Sequence, residues 1–186
     1  MDIVAHGAWA GLGVAFACRR RPIPARTVAA VVALAVLPDL AQLLPLVGLA
    51  ASRGDFHVLH AYATATPGSE PLLPPAVAFW SHHLHCVLHS AVAAAVVTAL
   101  SWALMRTLWL PLLGWWSHVV IDVFTHSAEF YPSPVLYPFT YWGFDGVAWN
   151  APWFMALNYG AIAAALVLWR VARRRAGRVD RHQDVA

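Results

Sequence analysis

The chain contains no lysine: all 12 of its basic side chains are arginine. Charge of either sign is scarce, 11% of residues against 60% hydrophobic, where a soluble domain carries about 25% charged residues. That shortage excludes a disordered chain and a water-filled nucleic-acid binder. Cysteine is nearly absent too. Cys18 and Cys86, both in apolar runs, read as packing residues rather than a disulfide scaffold. No Gly-rich phosphate loop, Gly-x-Ser-x-Gly elbow or cysteine nucleophile constellation occurs, which disfavours nucleotide chemistry and covalent catalysis. The first apolar run lacks a positive n-region before it and a small-residue cleavage site after it, so a cleaved signal peptide is not expected.

What the chain has instead is apolar length. Mean hydropathy is +0.59 over 186 residues, and the pattern resolves into the segments Ile3–Cys18, Thr27–Ala51 (interrupted by Pro38 and Pro45), Ala76–Met105, Thr107–His126 and Pro152–Trp169. The expected fold is therefore all-α, a polytopic membrane helical bundle of about five transmembrane helices. It occupies 1–171, with a basic tail over 172–186. Polar loops run over Ser52–Pro75 and Ser127–Ala151. Arginine sets the orientation. Eleven of the 12 fall at 19–26, at Arg106 or in the tail, and an N-out, C-in topology keeps all of these inside, leaving only Arg53 outside. The loop around Gly68 then faces outward, and Phe130, Tyr131, Tyr137, Tyr141, Trp142 and Trp149 form an outer aromatic belt.

Against this background some polar residues stand out, because Asp and His inside a bilayer are costly and mark function or a paired buried site. Counting at about 1.5 Å per residue from the inner arginines, His6 and Asp39 each lie about 20 Å up. On the same scale His118 lies at about 18 Å, Asp122 at 24 Å, His89 at 25 Å, His126 at 30 Å and His85 at 31 Å. Four segments thus place Asp and His at one level in the outer half of the membrane. His118, Asp122 and His126 follow an i, i+4, i+8 stripe, and His82, His85 and His89 share another face, with His83 pointing elsewhere. Asp39 follows a proline that opens the helix ladder. Imidazole and carboxylate on facing helices are how bundles hold metals, and the N/O donor set suits zinc, with manganese or iron next. The expected ligands are drawn from His6, Asp39, His85, His89, His118, Asp122 and His126. Asp39, Asp122 and the loop acid Glu129 are the candidate catalytic acids and bases. Asp145 and Asn150 sit in the same loop, where turn and cap chemistry explains them equally well. His57, His60 and His182 read as solvated.

His6, Leu37-Pro38-Asp39, His89-Ser90 opening an apolar run, and Ser117-His118-Val119-Val120-Ile121-Asp122 with His126 four residues on, in this order, resemble the LexA-binding, inner-membrane-associated hydrolases, also called membrane-bound metal-dependent hydrolases. Trp149-Asn150 resembles a pair seen in some members. The resemblance covers roughly His6 to Trp169. Ala41 stands where many members carry a second acid, and Leu84, beside His85, stands where many carry a histidine. The family is distantly similar to zinc-dependent phospholipases C, which implies a divalent metal, membrane lipid as partner, a lipid-linked phosphoester as substrate and a multi-pass place in the inner membrane. Rival expectations are a non-catalytic protein with a structural metal, a histidine-box di-iron lipid oxidase built on His82-His83-Leu84-His85 and His89, and a metal carrier. No oligomeric state is expected from the sequence.

Overall fold

The computed structural model describes residues 1–19, 23–65, 69–129 and 132–183, without the side chains of Ala63 and of 175–183. Arg20, Arg21, Gly68, Phe130 and Tyr131 lie outside the described residues, as do the side chains of Arg175, Arg178 and Arg181. The fold is all-α. Its helices are α1 (Ile3–Ala17), α2 (Ala25–Gln42), α3 (Leu44–Arg53), α4 (His57–Ala63), α5 (Pro75–Leu88), α6 (Ala91–Met105), α7 (Leu112–Thr125) and α8 (Pro152–Gln183).

Length divides them. Among the described residues, α2 and the Pro152–Arg174 part of α8 are long and apolar enough to cross a membrane, and α5 with α6 makes a third span if the bent pair is counted as one. At 15 and 14 residues, α1 and α7 are apolar but fall short of the ~20 residues that ~30 Å of hydrocarbon requires. Two or three spans, rather than five, follow from length and composition. Exposed Leu157, Val167 and Leu168 along α8, with Trp102 and Leu104 on α6, form the apolar exterior expected of membrane-embedded helices.

Several boundaries depart from the hydropathy reading. The segment Ala76–Met105 is two helices that meet at 60°. Ser90 ends the first and starts the second: its Oγ accepts from the Val92 and Ala93 amides at 3.1 and 3.2 Å, a side-chain N-cap. The same hydroxyl donates to the Tyr137 carbonyl at 2.7 Å. The Leu88 carbonyl, left open at the end of α5, accepts from Trp115 Nε1 at 2.6 Å. The joint is thus hydrogen-bonded on both sides, a requirement where no water is available. Ser90→Ala removes the cap and the loop tie together, and should lower stability by about 1–2 kcal/mol. Denaturation in detergent, with Thr98→Ala as comparison, would measure this.

The remaining departures are smaller. Pro38 lies within α2, and the chain breaks only at Leu43, before Pro45. His57 and His60, expected in a loop, belong to the short α4. At the other end, α8 runs beyond Trp169, so the backbone of the basic tail continues the last helix to Gln183.

Packing centres on α2, which meets α1, α5 and α7. Gly114 is what lets α7 in: a Cβ there would lie 2.0 Å from the Val31 carbonyl oxygen and 3.1 Å from the Ala35 nitrogen. One turn further on, His118 Nδ1–H donates to the Ala35 carbonyl at 2.8 Å. One turn beyond that, Asp39 and Asp122 share a cluster. Val31–Gly114, Ala35–His118 and Asp39–Asp122 are therefore three rungs, each one turn apart, between two helices running in the same direction. α1 is held from the other side, where Trp9 Nε1 donates to Asn158 at 2.8 Å and Tyr159 donates to Asp2 at 2.9 Å. Asp2 also caps α1, accepting from the Ala5 amide at 3.0 Å. The 132–151 loop folds back on the end of α7, with the Gly146, Val147 and Trp149 amides bonded to the His126, Phe124 and Thr125 carbonyls at 2.8–2.9 Å.

Candidate metal centre

Asp39, His89, His118 and Asp122 are all buried and each offers one ligand atom, these atoms lying within 4.8 Å of one another. Three elements deliver them: Asp39 from the third rung of α2, His118 and Asp122 from α7, and His89 from the joint between α5 and α6. His89 is the C-cap of α5, its amide still bonded to the His85 carbonyl at 3.0 Å.

Backbone carbonyls orient both imidazoles. His118 Nδ1 bonds the Ala35 carbonyl and His89 Nδ1 bonds the His85 carbonyl, at 2.8 and 2.9 Å. A carbonyl only accepts, so each Nδ1 carries a proton, and in its neutral form each ring turns an Nε2 lone pair inward. The two Nε2 atoms lie 3.0 Å apart and 3.2 and 3.1 Å from Asp122 Oδ2. Two imidazole nitrogens and a carboxylate oxygen at such separations call for positive charge among them, a proton or a metal ion. Asp39 Oδ1 is 3.5 Å from His89 Nε2 and 3.9 Å from His118 Nε2. Buried Asp39 Oδ2 and Asp122 Oδ2 accept no hydrogen bond from the described residues. Two imidazole nitrogens and two carboxylates, with unpartnered buried acceptors, fit a divalent metal ion of the N/O class, and the cluster can hold one.

The other expected ligands surround this group without joining it. His6 Nε2 bonds Asp122 Oδ1 at 2.9 Å and lies 4.0 Å from Asp39 Oδ2; its ring lies over His118, centroids 3.9 Å apart. His126 Nε2 is 3.5 Å from Asp122 Oδ2, but the helical stripe expected through it stops early. α7 ends at Thr125, and His126 has extended backbone. The Met1 amino group bonds Asp122 Oδ1 and lies 3.2 Å from His126 Nε2. His85 stands one layer out, its ring 4.0 Å from that of His89 and its Nδ1 bonded to Gln42 Oε1 at 2.9 Å. Glu129 is exposed just past His126 and makes no hydrogen bond or ion pair with the cluster among the described residues. The reason is local: the chain turns outward after Ser127, and Asp145 holds that turn through the Ala128 amide at 2.8 Å. His82 and His83 also face away, toward Cys86 Sγ at 3.5 Å and the Tyr137 hydroxyl at 3.1 Å.

Gln42 is the residue that the sequence reading missed. Its Nε2 donates to Asp39 Oδ1 at 3.3 Å while its Oε1 accepts from His85, so it orients a ligand and the layer outside it. Its position, i+3 from Asp39 on the same helix face, was the available signal. Beside the cluster lies a cleft of about 320 Å³, lined by the polar Asp2, Asp39, Gln42, His85 and His126 and by the apolar Ile3, Val4 and Leu43. Comparison with protein-family models, with curated proteins and with solved structures gives no match.

Proposed function

We propose that the chain is an integral membrane hydrolase of the metal-dependent inner-membrane type suggested by its motifs, acting on a lipid-linked phosphoester at the outer face. The observation that carries the reading is the cleft beside the cluster: its lining combines Asp39, a member of the acid–imidazole group, with the apolar side chains of Ile3, Val4 and Leu43. An amphiphile fits that division, with its polar ester at Asp39 and its chain against Ile3, Val4 and Leu43. The arginine distribution supports N-out, C-in insertion, with α1 and α7 completing a bundle of five segments although each is short.

In this reading Asp39, His89, His118 and Asp122 hold the ion, zinc being the best match to two nitrogens and two oxygens. When bound, a divalent ion supplies positive charge for a phosphoryl oxygen and a lowered pKa for water. The protein's own part is proton handling and exclusion of bulk water. Asp39 lines the cleft and, with Gln42 donating to its Oδ1, is the carboxylate placed to take a proton from attacking water. Asp122, surrounded by His6, His89, His118, His126 and the Met1 amino group, serves as the charge centre rather than as the base. The loop folded over the end of α7 covers the site.

The experiment is a phosphoester panel in nanodiscs, comparing wild type with the His118→Ala/Asp122→Ala double variant. Wild type should turn over at least one lipid phosphoester about 100-fold faster than the variant, with loss on chelation and recovery on adding metal. Equal activity across the panel would favour the structural-metal reading, which has its own support: four protein donors would fill a four-coordinate site by themselves. The histidine-box oxidase reading gains no such support, because His82 and His83 point away.

A further inference from the structure

At the arginine end of the bundle, about 20 Å from His6 by helical rise along α1, two clefts adjoin. One, of about 440 Å³, lies between α1, α2 and α8; the other, of about 230 Å³, reaches toward α7. Both are lined by Val14, Cys18 and Ile23, so they flank one apolar ridge. Among the described residues no Asp or Glu lines either. The mouth of the larger carries Arg19 and Arg173, both exposed, and the Arg173 guanidinium is held 5.1 Å over the Trp169 ring. A cation–π contact fixes a cationic group at the opening.

From this juxtaposition we propose that the paired clefts are a binding site for one anionic diacyl phospholipid: its phosphate between Arg19 and Arg173, and its two chains on either side of the Val14–Cys18 ridge. Charge complementarity selects an anionic headgroup, since basic pockets between transmembrane helices on a membrane face are where such headgroups bind. Two adjoining apolar clefts select a two-chain lipid over free phosphate, which would have no use for them. The proposal needs only that this end of α8 lie in a headgroup layer and is independent of any hydrolytic activity.

The test is native mass spectrometry of the delipidated full chain, titrated with phosphatidylglycerol or phosphatidylcholine of identical acyl chains. Wild type should retain one phosphatidylglycerol with roughly 30-fold preference, the effect of two surface arginines. Arg19→Gln/Arg173→Gln should bring the preference below about threefold. Arg26→Gln/Arg174→Gln removes the same charge outside the clefts and should keep the preference. Ala15→Trp fills the larger cleft without changing charge and should weaken both lipids. Equal binding of the two lipids by wild type would overturn the proposal. So would equal loss in the two arginine pairs, or a dimer whose formation excludes lipid.

Discussion

Gly114→Val should unfold the site while leaving most helices formed. Even the first carbon of the new side chain would overlap the Val31 carbonyl, at 2.0 Å, and the obstacle is helix backbone, which cannot rotate aside. α7 must retreat, and with it goes the His118–Ala35 bond of the next rung. The expected loss is about 3 kcal/mol or more, at the upper end of overpacking costs. Thermal unfolding followed by circular dichroism in detergent measures it. Gly13 is the control, because a Cβ there meets nothing within 4 Å, and Gly13→Val should cost well under 1 kcal/mol apart from its helix propensity. A Gly114→Val protein as stable as Gly13→Val would mean that α2 and α7 do not approach as described.

Asp122→Asn should have an effect of similar size by another route. The substitution keeps shape and removes charge at the point where His6, His89, His118 and His126 converge. An amide is neutral and keeps only one of the two oxygens, so the cation and the imidazoles around it lose the anion on which they converge. Breaking a buried pair on one side costs about 3–5 kcal/mol. Bound metal, counted by elemental analysis, should fall from about one ion per chain to near zero, as expected when a ligand is lost. Asp39→Asn should lose metal with a smaller drop in stability, since Gln42 alone is hydrogen-bonded to it and His6, His89 and His118 lie farther from it than from Asp122. A metal-loaded Asp122→Asn protein would exclude Asp122 as a ligand.

Asp39, His89, His118 and Asp122 were readable because depth can be counted along a chain from its arginines, and four costly residues at one level have few reasons to coincide. Direction was harder to read. Hydropathy averages over a window, so it passes through Ser90 without registering that one hydroxyl can cap a new helix and turn the chain by 60°. That turn ends α5 at His89, which enters the cluster, whereas His82, placed on the same face by helical spacing, lies against Cys86. Glu129 illustrates the same limit in a loop: nearness to His126 in sequence says nothing about which way a turn sends the next side chain. Gly114 was invisible for a different reason. A glycine in an apolar run carries no mark of whether a neighbour's backbone lies against it.

The three rungs between α2 and α7 also decide where the chain tolerates a change in length. One residue inserted between Val31 and Asp39 turns everything beyond it by about 100°, so Asp39 would swing out of the cluster while Val31 stayed against Gly114. The same insertion before Val31 shifts the start of α2 and leaves the rungs in phase. Inside the ladder only additions near a whole number of turns, such as seven residues with their drift of ~20°, keep both ends aligned, and these would part Asp39 from Asp122 along the axis. Homologous chains of different length should therefore carry their insertions in the 52–74 region or before Val31, and none between Val31 and Asp39 or between Gly114 and Asp122.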